Sequence, residues 1–209
     1  MKRRVKQAII IKHTMNKLIS SRDNINQIAQ ESIKILNTGG IVLLPFDTVY
    51  GLICDPKNFK SIEKIFQLKG RDRNKTVGLA VSSMSELNKI AHLTLPDFIK
   101  EKIPGRYTFI VRSNENIFSP QCYRGDTLGV RVPNSSLILK IVSSFGPIAQ
   151  TSANKSGQTN CYSVVQIESQ FTNDELSSID LIIDGGEIEH GQPSEIWDVT
   201  GTCPIKIER

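Results

Sequence analysis

Apolar residues at Ile25, Ile28, Ala29, Ile33 and Leu36 recur with a helical period, and Asp23 or Asn24 is placed to cap the helix they predict. Gly39 and Gly40 end it. Residues 41–44 form a wholly apolar run closed by Pro45, the pattern of a strand covered on both faces. The following stretch, 46–52, reads as a strand giving way to a loop that carries Thr48 and Tyr50 at alternate positions, and open sheets tend to bind ligands at such strand ends. A second helix is expected over 58–68, a strand over 77–81, short helices over 85–91 and 96–102, and a strand over 107–111.

Residues 127–132 alternate between inward and outward positions and carry Arg131. Residues 135–145 are amphipathic and stop at Gly146. A strand at 148–150 then opens into Thr-Ser-Ala-Asn-Lys-Ser-Gly at 151–157, a stretch small and polar enough to serve ligand contacts better than packing. A helix near 164–171 and strands near 181–183, 196–199 and 205–207 complete the pattern. Strands and helices mixed at this density predict one α/β or α+β domain with helices on the faces of a sheet. Several connections are too short for crossovers, so some strands run antiparallel.

Composition narrows the picture. At 209 residues the chain is long enough to bury about 70% of its unfolded surface without disulfides or metals. No apolar run approaches the roughly 20 residues of a membrane span, which excludes an integral membrane protein, and no membrane partner is expected. The net charge of +5 is concentrated at one end: residues 1–20 hold Lys2, Arg3, Arg4, Lys6, Lys12 and Lys17 and no acid, and setting these six aside leaves 20 cations against 21 acids. The expected organisation is therefore a basic N-terminal arm over 1–20, able to touch RNA, followed by a nearly neutral domain over 21–209. Cys54, Cys122, Cys161 and Cys203 contain no Cys-x-x-Cys pair and the three histidines do not cluster with them, so no metal site is expected and a reducing cytoplasm fits best.

The candidate chemistry centres on Lys69-Gly70-Arg71-Asp72-Arg73-Asn74-Lys75, four cations in seven residues between two core elements. A triphosphate needs several cations, and the guanidinium fork holds two phosphate oxygens at once. There is no Gly-x-x-x-x-Gly-Lys-Ser loop and no Gly-x-Gly-x-x-Gly, so the usual nucleotide folds are disfavoured. Ser152 has neither a His partner nor a nucleophile elbow. Its expected work, with Asn154, is hydrogen bonding to ligand oxygens. Arg131 stands in an otherwise apolar strand, where an unpaired charge would be costly.

Taken together and in this order, Pro-x-Asp-Thr-Val-Tyr-Gly-Leu, Lys-Gly-Arg with a further Lys four residues on, Val-Arg-Val-Pro, Thr-Ser-Ala-Asn-x-Ser-Gly and Pro-Ser-x-Ile-x-Asp resemble the YrdC/TsaC family of threonylcarbamoyl-AMP synthases. The resemblance spans about residues 24–200. It implies a YrdC-like open, twisted mixed sheet around a large basic cavity, and condensation of L-threonine, bicarbonate and ATP to threonylcarbamoyl-adenylate and pyrophosphate for the t6A modification of tRNA. It also implies Mg²⁺ bridging the phosphates, and partner proteins of the TsaD, TsaB and TsaE type. Carried over block by block, Lys69 and Arg71 are the catalytic candidates. Lys69, Arg71, Lys75, Thr127, Ser152 and Asn154 would hold ATP, while Thr48, Tyr50, Arg131 and Ser194 would face threonine, Arg131 pairing with its carboxylate.

Several positions depart from the family pattern: Phe46 for Thr, Ala80 for His, Arg106-Tyr107 for Pro-Leu after Pro104-Gly105, and a closing strand with Lys206 and Arg209 but no clear match for the family's late Arg. These changes cluster on the amino-acid side. They keep open a YciO-like or other carbamoyl-adenylate enzyme with a different acceptor, and beyond it a double-stranded RNA or tRNA-binding module.

Overall fold

The computed structural model describes residues 17–20, 24–189 and 192–208. Its first helix, α1 (Ile25–Asn37), begins where Asn24 accepts hydrogen bonds from the backbone N–H groups of Asn26 and Gln27 and satisfies two of the orphan donors of a helix start. Ile28, Ala29 and Leu36 form its buried stripe. The other helices are α2 (Phe59–Lys69), α3 (Met84–Ile90), α4 (Pro96–Lys100), α5 (Ser136–Phe145), α6 (Val164–Glu168) and α7 (Asn173–Ser177).

The strands are β1 (Lys17–Ser20), β2 (Val42–Pro45), β3 (Tyr50–Cys54), β4 (Gly78–Ala80), β5 (Ala91–His92), β6 (Tyr107–Ser113), β7 (Tyr123–Arg124), β8 (Thr127–Arg131), β9 (Ile148–Ser152), β10 (Leu181–Asp184), β11 (Glu195–Asp198) and β12 (Ile205–Ile207). They join in one mixed sheet of order β1-β10-β2-β3-β9-β4-β8-β6-β11-β12, with β5 added to β6 and β7 to β8. The open mixed sheet with helices on its faces agrees with the expected class.

The pleat divides the core in two. One face buries Tyr50, Leu52, Cys54, Leu79, Phe109, Val111, Leu128, Val130 and Ala149 with Ile62, Ile65 and Phe66 of α2 and Leu87 and Ile90 of α3. The other buries Val42, Leu44, Ile53, Ala80, Ile148, Leu181 and Ile183 beneath Ile28, Ala29 and Leu36 of α1 and Leu137, Ile138, Ile141 and Val142 of α5. The two helices pack on each other but reach only the β10–β2–β3 side of that face and the near ends of β4 and β9. On the remainder, Gly78, Thr108, Ile110, Thr127, Gly129, Gln150 and Ser152 are partly exposed. Half of one sheet face is thus left open.

Three expectations need revision. The stretch 46–52 is not a loop throughout: Tyr50–Cys54 is a strand, buried along its whole length, because this apolar run pairs on both edges, with β2 and with β9. The helix expected over 164–171 stops at Glu168, and a second helix follows because Thr172 and Glu175 form a capping box. The arm expected over 1–20 ends in the sheet, since Lys17–Ser20 pairs in parallel with β10; residues 1–16 lie outside the described residues.

Candidate active site

The open half-face has a bare strip at Gly78 and Gly129, with Gln150 and Ile110 on either side of it. Along β8 the period of two puts Thr127, Gly129 and Arg131 on this side and Leu128 and Val130 on the buried one. Gly129 pairs with Ile110 and Thr127 with Arg112 on β6. Across β4, Gly78 pairs with Gln150 of β9, two residues before Ser152. A Cβ on Gly78 would stand 3.0 Å from the Gln150 side-chain amide nitrogen, whereas one on Gly129 would meet only the Thr108 methyl at 3.6 Å. Thr127 and Arg131 mark the two ends of this floor, about 13 Å apart for four strand residues.

At the Thr127 end stands the cationic loop. Gly70 takes a left-handed conformation with φ 58° as the helix α2 closes, a turn that costs a glycine nothing and that delivers Arg71 beyond the helix end. Lys69 is 2% exposed. It donates to the carbonyls of Ser152 and Asn154, the latter at 2.5 Å, while Ser156 N–H donates to the Lys69 carbonyl at 2.9 Å. Arg71 donates to the Thr76 carbonyl at 2.7 Å and lies 5.8 Å from the Phe66 ring. Its burial pulls the guanidinium below its usual range.

Asn154 spends its amide N–H groups on the carbonyls of Lys155 and Gln158, at 2.9 and 2.8 Å. Three buried polar atoms at this end, Arg71 Nε, Asn154 Oδ1 and Ser156 Oγ, have no protein partner, and such atoms call for a ligand or water. Lys75 is exposed, and Arg73 is paired with Glu63 at 2.8 Å. Thr127 donates to the Arg124 carbonyl.

At the other end Arg131 is 3% exposed and not idle. One terminal nitrogen contacts both Asp47 carboxylate oxygens at 2.8 and 3.0 Å and the Gly105 carbonyl at 3.1 Å, and the other donates to Thr48 Oγ1 at 3.2 Å. Ser194 shares a hydrogen bond of 3.0 Å with Thr108. Phe46 folds back beneath the guanidinium, 5.8 Å from it, into space that exists because residue 51 is glycine: a Cβ there would lie 2.6 Å from the ring. Ala80 is fully buried. Thr48, Arg131 and Ser194 therefore lie around this end, and the carboxylate that Arg131 holds is Asp47.

Tyr50 is placed differently. It points to the opposite, filled face, fully buried, where its hydroxyl donates to the Gly186 carbonyl at 2.7 Å and accepts from Gly185 N–H at 2.9 Å. Burial raises its pKa strongly. It bolts β3 to the turn after β10.

The Asp47 partner and the glycine strip carry no sequence motif of their own, and Arg124 and Arg112 flank Thr127 on β7 and β6, Arg112 paired with Asp126 at 2.6 Å. The alternation of Thr127, Gly129 and Arg131 was the signal for the floor.

Burial, followed by the neighbouring Arg71 guanidinium, pulls the Lys69 ammonium from 10.5 down to about 7, with Cys161 opposing. Its unfolded state thus binds more protons than its folded state between those two values, so stability rises with pH across that window. Melting temperatures at pH 7 and pH 9 are expected to show wild type gaining on a Lys69→Met variant as pH rises. A constant gap would contradict the burial.

Among the described residues no group of three or more His, Cys, Asp or Glu side chains is placed to hold a metal. Mg²⁺ would be carried by phosphate oxygens and water.

A family model described as Sua5/YciO/YrdC, telomere recombination, matches residues 34–209. The chain is 33% identical over 177 residues to a threonylcarbamoyl-AMP synthase of Vibrio vulnificus, covering 81% of this chain and 92% of that protein. The solved structure of P. abyssi Sua5 complexed with L-threonine matches at TM-score 0.81 and 26% identity, over 93% of this chain and 57% of that longer one. The structure of E. coli YciO matches at TM-score 0.80 and 23% identity over 93% and 96%, which speaks for the fold alone. With the family model covering most of its length and a relative at this identity, the chain belongs to the Sua5/YciO/YrdC family.

Proposed function

We propose that the protein is a threonylcarbamoyl-AMP synthase, joining L-threonine, bicarbonate and ATP. The observation that carries this reading is the shared open floor: a cationic end at Lys69-Gly70-Arg71 and a hydroxyl-lined end at Thr48, Thr108 and Ser194, with Gly78 and Gly129 between them, flanked by Gln150 and Ile110. The names of the relatives support it.

Threonine and bicarbonate give a carbamate with loss of water. A carbamate oxygen then attacks the α-phosphorus, the new P–O bond forms as the bond to the β-phosphate oxygen breaks, and pyrophosphate leaves. The carbamate is a weak, short-lived nucleophile and the phosphate is already anionic, so the protein's part is to align the two and answer charge. In this reading Arg71 and Lys75 meet the phosphates. Ser152 Oγ, Asn154 Oδ1 and Ser156 Oγ supply polar contacts to the nucleotide with Thr127 at the strand start. Lys69 acts from beneath, through the loop carbonyls it holds. Thr48, Thr108 and Ser194 face the amino acid, and Arg131, neutralised by Asp47, shapes that end and adds a donor dipole.

Delivery of the adenylate to tRNA through proteins of the TsaD, TsaB and TsaE type, contact of the basic N-terminal arm with RNA, and work in the cytoplasm belong to the same proposal. No helix of the described residues is long and apolar enough to cross a membrane.

The test is pyrophosphate release by the purified protein with each substrate omitted in turn and with a panel of amino acids in place of threonine. Dependence on ATP, bicarbonate and threonine is the expected result. Release with another amino acid only would favour the related enzyme with a different acceptor, the reading that buried Phe46 and Ala80 make concrete. Steeply salt-dependent RNA binding without any pyrophosphate would point to a binding module instead.

Because a Cβ at Gly129 meets no backbone, Gly129→Val is expected to fold with little loss of stability. Its branched side chain would fill the floor and cut turnover by tenfold or more, on the order of 1.4 kcal/mol. Unchanged turnover would place the reaction elsewhere.

A further inference from the structure

The loop after β9 and the end of α2 hold each other through two lysines that point in opposite directions. Lys69, from the helix, donates into the loop carbonyls of Ser152 and Asn154. Lys155, from the loop, donates back into the helix at the Leu68 carbonyl, 2.9 Å away. The Lys155 ammonium also pairs with Glu175 of α7 and sits 5.0 Å from the Phe171 ring.

The loop backbone is fixed on the same side, with Lys155 N–H donating to Gln170 at 3.0 Å and the Gln170 amide donating to the Thr159 carbonyl at 2.9 Å. Glu175 is itself held, since its other oxygen accepts from Thr172 N–H at 2.9 Å in the capping box. Its hydrogen bond from Lys155 keeps it below the usual carboxylate range.

Neither Lys155 nor Glu175 bears a free group towards the open floor, so neither is a candidate to touch substrate. Their effect is on spacing. Arg71 follows Leu68 by three residues and Asn154 precedes Lys155 by one, so the bond from Lys155 to Leu68 ties together the two chain segments that carry the nucleotide contacts.

We propose that Lys155, with Glu175 as its counter-ion, is a positioning residue for the nucleotide: with Lys69 it closes a reciprocal clasp that sets the gap between Arg71 and the Ser152–Asn154 loop. This rests on the nucleotide being bound at that end, as in the function proposed above. Lys155→Met keeps the length of the stem and its contact with Phe171 while removing the ammonium. Lys155→Arg keeps a charge able to reach both acceptors. Glu175→Gln leaves an oxygen for the cap and removes the counter-charge.

The experiment measures ATP affinity by calorimetry, KM for ATP and for threonine by pyrophosphate release, and melting temperature, for wild type, the three variants and the Lys155→Met/Glu175→Gln double. Lys155→Met is expected to weaken ATP binding about tenfold, a charged hydrogen bond discounted for partial exposure. KM for threonine should change less than about twofold at temperatures well below melting, because that end of the floor shares no residue with the clasp. The double variant should match Lys155→Met alone, and Lys155→Arg should restore most of the affinity.

A lower melting temperature with ATP affinity and KM unchanged would overturn the proposal by reducing the clasp to fold stability. Equal losses for ATP and threonine would overturn it as well. If wild type binds ATP but releases no pyrophosphate, the function proposed above fails while the affinities still decide the clasp. Wild type that binds no ATP would overturn both.

Discussion

Asp47→Ala lowers the melting temperature by about 10 °C, because it leaves the Arg131 guanidinium buried without its counter-charge. Arg131 and Asp47 side chains are 3% and 9% exposed, and removing one partner of such a pair costs about 3 to 5 kcal/mol, with each kcal/mol worth about 2 to 4 °C at this chain length. Asp47 also accepts from Asn134 N–H at 3.0 Å, so the same change loosens the turn into α5. A double variant, Asp47→Leu with Arg131→Met, is expected to recover much of the loss, since the penalty lies in the unpaired charge rather than in the missing attraction. Differential scanning calorimetry decides it. A single variant melting within about 2 °C of wild type would mean that water reaches this guanidinium.

Arg71→Ala should produce the largest loss in catalysis. The side chain is half-buried beside Lys69, and its Nε has no protein partner. Each charged hydrogen bond it gives to a phosphate is worth about 1.5 to 3 kcal/mol, so even one lost bond lowers kcat/KM for ATP by roughly ten- to a hundredfold. Arg71→Lys keeps the charge but not the fork, and should recover only part of it. Arg71 also anchors the Thr76 carbonyl, so the melting temperature must be followed in parallel. Full turnover in a folded Arg71→Ala protein would remove the phosphate assignment.

Much of the fold was legible because local signals and packing agree. Asn24 and Asn58 cap α1 and α2, and apart from the exposed Ile25 and Phe59 the apolar periods of both helices face the core. The strand β3 was not legible, since Tyr50 to Cys54 does not alternate between apolar and polar positions and no turn residue stands directly before Tyr50. Only its two sheet neighbours define it.

The candidate site divides the same way. The Lys69-Gly70-Arg71 turn and the Ser152–Asn154 loop declare themselves by composition, and they meet as expected. What Lys69 touches could not be read, because its acceptors are backbone carbonyls more than 80 residues away in the chain. Tyr50 and Thr48 look equivalent in sequence, yet β3 sends the tyrosine to the filled face. The partner of Arg131 was equally hidden, because Asp47 reaches it from a hairpin turn three strands away in the sheet.

A crystal of the protein with a non-hydrolysable ATP analogue and L-threonine tests the substrate floor most directly. The triphosphate is expected between Arg71 and the Ser152–Asn154 loop, the amino acid beside Thr48, Thr108 and Ser194, and Gly78 and Gly129 beneath the joint between them. Ligand density on the opposite face of the sheet, or at one end with the other end unable to reach it, would contradict this placement.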